Sequence, residues 1–452
     1  MDANALAEGA ALPLFAQGAG LVVLCLILLY SLSKCHSPSA RFLIIVIWAR
    51  FVLSAFHNLT FVKILPGLSI NSISSVAVVA IGLVIIKRRS LFNIMTIAIL
   101  PYLVVLAVSA VVNNLLVSSI DDIIKIMYLI IIVSHVHEIV IFEDYKKFSN
   151  YVLLSFSPLI VYQLISIVLG VKKAGESDGS VSYIGGYNHE AAFSVGLMGM
   201  IVAAALGEGI PTIKRIGVLI LGIIGILLAN YRTTILASSP IIIFMLGSAV
   251  ISTLPRHLRG IFLMSGGISA VLLLSAAIST SDRLADLPAA VELVASGISS
   301  PDTITGEQKK LLSGRLYLWS EYIYQWRISD SVHQLFGFGP GSWEKYFPIY
   351  AHNTFVNGIF ELGILGLICL FVIFLSAALI GLSTYRSYTI KLLLAQLSFF
   401  ILNLSTMPMW QIEGLIAFAL ILGWSVAHFS ARKYIEAALS RERVLASSKR
   451  PQ

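Results

Sequence analysis

Along almost its whole length the chain alternates short polar connections with runs of about 20 apolar residues, the length a helix needs to cross a hydrocarbon core roughly 30 Å thick. The runs lie near 11–32, 40–62, 69–86, 91–117, 120–142, 148–170, 188–206, 213–229, 232–252, 258–279, 352–382, 388–406 and 410–430. Inside them polar residues do not recur at every second position, as they would in the strands of a membrane barrel, so the spans read as helices. The pattern predicts an all-α polytopic membrane protein with about 12–13 transmembrane helices. One polar interruption, residues 280–351, is too long for a routine helix connection, and long loops usually carry function. The chain thus divides into ten spans over 1–279, the loop over 280–351, three spans over 352–430 and a basic tail over 431–452.

The connections carry their own signal. Lys34 and Arg41, Lys87 to Arg89, Lys146 and Lys147, Lys214 and Arg215, Arg256 and Arg259, Arg386 and Lys391, and the tail from Arg432 fall in alternate connections. Those are cytoplasmic by the positive-inside rule. The acidic pair Asp121 and Asp122, the segment 171–187 and the long loop then face outward, as does the N-terminus. Acidic Asp2 and Glu8 stand where a cleavable leader would be positive, so the first span is expected to stay. Composition agrees: 58% hydrophobic and 12% charged residues, against roughly a quarter charged in soluble domains. The formal charge of +8 is mostly this topology signal, and without a single basic patch it makes nucleic acid an excluded partner.

Several chemistries drop out on spacing. Cys25 and Cys369 fall inside spans and Cys35 on the cytoplasmic side, so no disulfide framework is implied. No Walker or GxGxxG loop supports an ATP-driven machine, and no cofactor is implied. His135, His137 and Glu138 invite a metal reading, but histidines two apart diverge by roughly 200° on a helix, so no metal site is expected.

The loop and its exit are richer. In "EQKKLLSGRLYLWSEYIYQW" Leu311, Leu312, Leu316, Trp319, Tyr322, Ile323 and Trp326 recur at helical spacing, predicting an amphipathic helix on the outer membrane boundary. "GFGPGSW" follows as a turn built on Gly337, Gly339, Pro340 and Gly341. It delivers the chain to "YAHNTFVNGIFELGILGL", where His352 and Asn353 sit at the outer end of a span. Unpaired N–H groups there disfavour an imidazolium and favour an anion, as a general base near an anionic ligand requires. Asn353, Asn357 and Glu361 form one polar stripe, while Gly358, Gly363 and Gly366 offer small faces for close helix packing. The plainer reading is that Asn353 caps the helix and the stripe bonds neighbouring helices. Asn188, His189 and Glu190 open another span from outside, as sugar or diphosphate ligands or as a helix cap. Gln411 and Glu413 border a cavity or cap the last span. Arg50 and Lys125, inside spans, have carboxylates or carbonyls as partners.

His-Asn, nine residues, Gly, two residues, Gly is met by His352, Asn353, Gly363 and Gly366, and it resembles the signature of the O-antigen ligase and polymerase superfamily. "SGRLYLW" resembles that family's loop arginine segment, "GFGPGSW" its glycine turn, and "NYRTTIL" its outward-facing arginine between two spans. "YIGGYNHEAAF" and the thirteenth span depart from the usual pattern. The resemblance implies a GT-C-like fold with one large periplasmic loop, in the bacterial inner membrane, with its active site facing the periplasm. It also implies metal-independent glycosyl transfer from a glycan carried on undecaprenyl diphosphate. Arg315 and Arg232 are then the candidates for stabilising the departing diphosphate, since a guanidinium stays charged and donates in pairs. His352 would take the proton of the acceptor hydroxyl in an inverting displacement, and Asn353 would orient it. The polar "YNHEAAF" entrance and the modest number of basic residues near a core-binding surface favour polymerase, for which two diphosphate sites are useful, over ligase; a chain-length regulator is the partner implied besides membrane lipids. The competing class, a polysaccharide flippase, calls for internal repeats and midplane charges that the sequence lacks.

Overall fold

The computed structural model describes residues 11–65, 68–143, 145–174, 181–261, 301–306 and 308–448. Its principal helices are α1 (Leu14–Lys34), α2 (Pro38–Ala55), α3 (Ile70–Ile85), α4 (Ile94–Val112), α5 (Ile120–Phe142), α6 (Tyr145–Val168, broken at Phe156), α7 (Glu190–Leu206), α8 (Thr212–Leu228) and α9 (Arg232–Thr253). After the long loop come α10 (Arg315–Arg327), α11 (Thr354–Leu382), α12 (Arg386–Ser405) and α13 (Ile412–Ser448). Among the described residues nine helices are long and apolar enough to cross a membrane. This is an all-α polytopic membrane protein. The remaining expected spans are the shorter apolar helices α3, α7 and α8, and the tenth, 258–279, which from 262 on lies outside the described residues, as does the start of the loop.

The helix ends are set by local chemistry. Ser37, Ser69 and Asn93 cap α2, α3 and α4 with side-chain oxygens that accept from N–H groups of the first turn. The second expected span is cut short at Ala55, because His57–Thr60 and a two-stranded hairpin (β1 Lys63–Leu65, β2 Leu68–Ser69) lead into α3. A second hairpin (β3 Lys173–Ala174, β4 Val181–Ser182) fills the connection between α6 and α7. The last helix runs past the expected end of its span into the basic tail, where Arg432 pairs with Glu436 one turn on.

The centre of the bundle is α13, 94% buried over its apolar window and packed against α5 and α7, whereas α1 at 28% is peripheral. On α1, Leu26 and Leu29 are more than half exposed, as a lipid-facing surface requires. The connections rich in lysine and arginine gather at one end of the bundle: Arg432 donates to the Ser383 and Thr384 carbonyls, Lys391 pairs with Glu208 at 3.8 Å, and Lys87 pairs with Glu138 at 3.6 Å. The opposite end collects α10, both hairpins and the starts of α5, α7, α9, α11 and α13.

Candidate active site at the start of α11

Asn353 terminates α11 as the cap reading expects. Its backbone is extended, its Oδ1 accepts from Phe355 and Val356 N–H at 2.9 and 3.1 Å, and its Nδ2 donates to the Leu404 carbonyl at 3.0 Å. Thr354 Oγ1 adds a bond to Asn403 Oδ1 at 2.7 Å, so the start of α11 is fixed to the end of α12. This leaves His352, the residue before the cap, on a fixed backbone with φ at 50°, in the left-handed region. Its half-buried ring lies 4.0 Å from that of Tyr350, and its Nδ1 is buried without a hydrogen-bond partner among the described residues.

Arg315 and His189, from two other elements, act on that ring electrostatically. Burial first, then the positive charges of Arg315 and His189, push His352 down to about 4. Burial and the Arg315 guanidinium thus favour a neutral imidazole, a different cause from the helix N-terminus that the sequence suggested. Arg315 opens α10 just after Gly314, whose φ of 79° permits the sharp entry. Its Nη1 donates to the Ser405 carbonyl at 2.8 Å, at the negative end of α12. His189 caps α7, its Nδ1 accepting from Ala191 N–H at 3.0 Å, and Glu190 beside it pairs with Lys173 at 3.4 Å. Lys173 also donates to the carbonyl of exposed Asn188 at 2.9 Å. So the β3–β4 hairpin holds the "YNHE" segment, a role for Lys173 that its place in a mixed polar stretch did not reveal.

Arg232 is the sequence candidate least tied to this group: it is exposed at the start of α9 and has no hydrogen-bond partner among the described residues. Its neighbour Tyr231 is drawn in instead. Burial raises the Tyr231 phenol above its ordinary range, while a hydrogen bond with Thr406 and the Arg315 charge pull it back. Nothing in the residue pattern singled out that tyrosine. The structure therefore brings His352, Arg315 and His189 together, with Tyr231 close by.

Below this group lies a cavity of about 290 Å³ lined by His189, Asn188, Gln411 and Glu413 among others. Arg50 grips Glu413 there with two bonds, at 3.0 and 3.2 Å, and Ser54 adds a third at 2.8 Å. Lys125 is held by Asp121 at 2.8 Å and Asp122 at 2.9 Å. Both intramembrane cations thus have the carboxylate partners their burial demands. His135, His137 and Glu138 go separate ways, to the Gly82 carbonyl, to Ser430, and to Ser39 with Lys87.

The glycine turn is built into α11. Gly363 breaks that helix with φ at 66°, and a Cβ there would lie 2.3 Å from the Leu335 carbonyl oxygen, so its role is a kink and a backbone contact as well as a small face. The kink leaves carbonyls of the first half of α11 without helical donors, and the turn supplies them: Phe338 N–H donates to Phe360 at 3.0 Å and Gly339 N–H to Glu361 at 2.9 Å. Gly341 N–H then binds the Glu361 side chain at 3.0 Å. α10 lies on the same assembly. Leu316, Leu318 and Tyr322 are buried, and Trp319, Tyr322 and Trp326 donate to the carbonyls of Ala351, Ile349 and Gln334. Its apolar face is thus covered largely by the protein's own loop, and its helical part starts only at Arg315 because Gly314 interrupts it.

Residues 217–371, which include α9, the loop, α10 and the kinked half of α11, match the family model described as O-antigen ligase. Over that stretch, and not over the chain as a whole, this protein is similar to the O-antigen ligase family. A separate comparison finds 24% identity over 247 residues with the exopolysaccharide production protein ExoQ of Rhizobium meliloti (strain 1021), covering 47% of this chain. That match spans about half, 50%, of the relative's length. His352, Asn353, Gly363 and Gly366 lie inside the matched region, together with Arg315 and Arg232.

Proposed function

We propose that this protein is a glycosyltransferase of the bacterial inner membrane. It joins repeat units of an O-antigen or exopolysaccharide at the periplasmic face, using undecaprenyl-diphosphate-linked glycan as donor. The observation that carries the reading is a neutral, partly buried His352 on the fixed start of α11, within the field of the Arg315 guanidinium that the end of α12 holds in place. The acceptor hydroxyl oxygen attacks the anomeric carbon, the carbon–oxygen bond to the diphosphate breaks, and the diphosphate leaves with the electron pair. Fixed cations stabilise that charge without reorganisation. His352 accepts the hydroxyl proton, and a single displacement inverts the anomeric centre. An arriving diphosphate offsets the positive charges that depress the imidazole, so the base strengthens once the donor is bound. Arginine serves the leaving group here in place of a metal ion, and a chain-length regulator is the partner protein.

A ligase that transfers the finished glycan to lipid A core is the second reading, favoured by the match to an O-antigen ligase family. One experiment separates them: a strain lacking the gene, complemented with wild type, His352→Ala or Arg315→Ala. Core-linked and undecaprenyl-linked glycan are compared while membrane levels of the protein are followed. Polymerase activity leaves core with a single repeat in the deletion and in both variants. Full-length chains stranded on undecaprenyl with bare core mean ligase, and wild-type glycan from both variants sinks the site assignment. General-base contributions of about 10²–10⁴ set the loss expected for His352→Ala.

A further inference from the structure

A second and larger cavity, about 640 Å³, opens between the glycine turn and the start of α5. Its volume lies within the range of small-molecule sites. Asp121, Lys125 and Trp410 line both it and the smaller cavity that His189 borders, so the two adjoin on the side of the molecule where His189 lies. Its chemistry differs from that of the cationic end. Four carboxylates against two lysines line it, an arrangement that repels a diphosphate. Trp343 and Trp410 border it with aromatic faces.

The side chain that points to a ligand is Glu361. It is 1% exposed, its Oε1 is held by Gly341 N–H at 3.0 Å, and its Oε2 has no hydrogen bond of good geometry among the described residues, with the Asn357 side chain lying beside the carboxyl group. Ser342 Oγ, on the turn itself and 7% exposed, is likewise without a partner there. A buried carboxylate oxygen left unpaired is costly, and both atoms belong to residues lining the same cavity. Among the described residues no cluster of three or more His, Cys, Asp or Glu has the arrangement of a metal site, so a divalent cation is a poor occupant. The ligand that fits exchanges several hydroxyl hydrogen bonds with carboxyl groups and lays apolar C–H faces on aromatic rings.

We propose that this cavity is a glycan subsite, in which Glu361, Ser342 and Trp343 bind an uncharged sugar unit remote from the bond being formed. Binding energy gathered there positions the reacting sugar at His352. The proposal rests on the glycosyltransferase reading only for the origin of the sugar.

The test is direct binding to the full chain in lipid nanodiscs by calorimetry. The probe is the free oligosaccharide released by partial acid hydrolysis of the producing strain's own polymer, with inorganic pyrophosphate as the contrasting titrant. Wild type is expected to bind the oligosaccharide. Glu361→Gln, which keeps the shape but replaces an acceptor, and Trp343→Ala, on a loop, should each weaken it about tenfold or more. Arg315→Ala should leave oligosaccharide binding unchanged and abolish that of pyrophosphate. Absence of binding to wild type, equal binding by both cavity variants with wild-type melting curves, or loss of oligosaccharide binding in Arg315→Ala alone overturns the proposal. If His352→Ala and Arg315→Ala still make product in cells, the catalytic assignment fails while this readout stands by itself.

Discussion

His352 combines a special backbone with a special charge state. At φ 50° the left-handed region disfavours most side chains but tolerates histidine and asparagine better than alanine. His352→Asn is therefore the cleaner probe of chemistry: it should keep wild-type expression and melting and lose about 10²–10⁴ in turnover, read from single-turnover product formation. Titration offers an independent check. Because burial, Arg315 and His189 hold the group near 4, it is neutral in the free enzyme across neutral pH. The acid limb of kcat/KM should then lie well below the 6.5 of a free imidazole, since protonation removes the base only as pH falls through the lowered value. In Arg315→Gln a depressing charge is gone, so the acid limb of the residual activity should move to higher pH. A wild-type limb at or above 6.5 would contradict the environment assigned to the ring. Of this site, the histidine, the cap and the loop arginine were legible in sequence, because each carries a polar signal at a helix start. Tyr231 and Lys173 were not, because their importance comes from distant segments folding onto them.

At the scale of elements, the glycine turn and the kinked α11 act as one unit. A β-carbon at Gly363 would meet the left-handed penalty of about 1–2 kcal/mol and, in addition, the Leu335 carbonyl at 2.3 Å. Gly341 has a similar φ of 72° but nothing within 4 Å of the same atom. Gly363→Ala should thus destabilise the protein by clearly more than Gly341→Ala, whose cost is about 1–2 kcal/mol, in thermal unfolding of the purified protein in detergent. Equal melting temperatures would mean that the turn does not brace the helix. The apolar runs announced α11 as a span, yet its break was invisible, because glycine inside a hydrophobic run reads equally as a packing face. The amphipathic pattern of α10 likewise gave the helix but not its partner: periodicity marks which face is covered and says nothing of whether lipid or loop covers it.

Across the whole molecule, the buried α13 is tied to α2 by the Arg50–Glu413 pair beside the smaller cavity, with side chains 14% and 2% exposed. Removing one partner strands the other charge, so Arg50→Ala or Glu413→Ala alone should cost about 3–5 kcal/mol, and the double replacement less than the sum of the two. A chemical-unfolding double-mutant cycle measures this, and strict additivity would show that the pair is not coupled. The apolar runs made the bundle and the sidedness of its basic connections readable, whereas the two adjoining cavities at the opposite end depend on turns and hairpins that no period encodes. The Arg315 guanidinium sits near His352 and carboxyl groups with aromatic rings near Glu361, a division that suits the proposed donor, charged at one end and sugar at the other. The most direct test is reconstitution of the purified chain in nanodiscs with undecaprenyl-diphosphate-linked repeat units and a chelator, following both chain length and released undecaprenyl diphosphate. The expected result is a ladder of longer glycans with one undecaprenyl diphosphate freed for each new bond, absent in His352→Asn. No bond formation and no release, even when lipid A core is added as acceptor, would contradict glycosyl transfer as the activity of this protein.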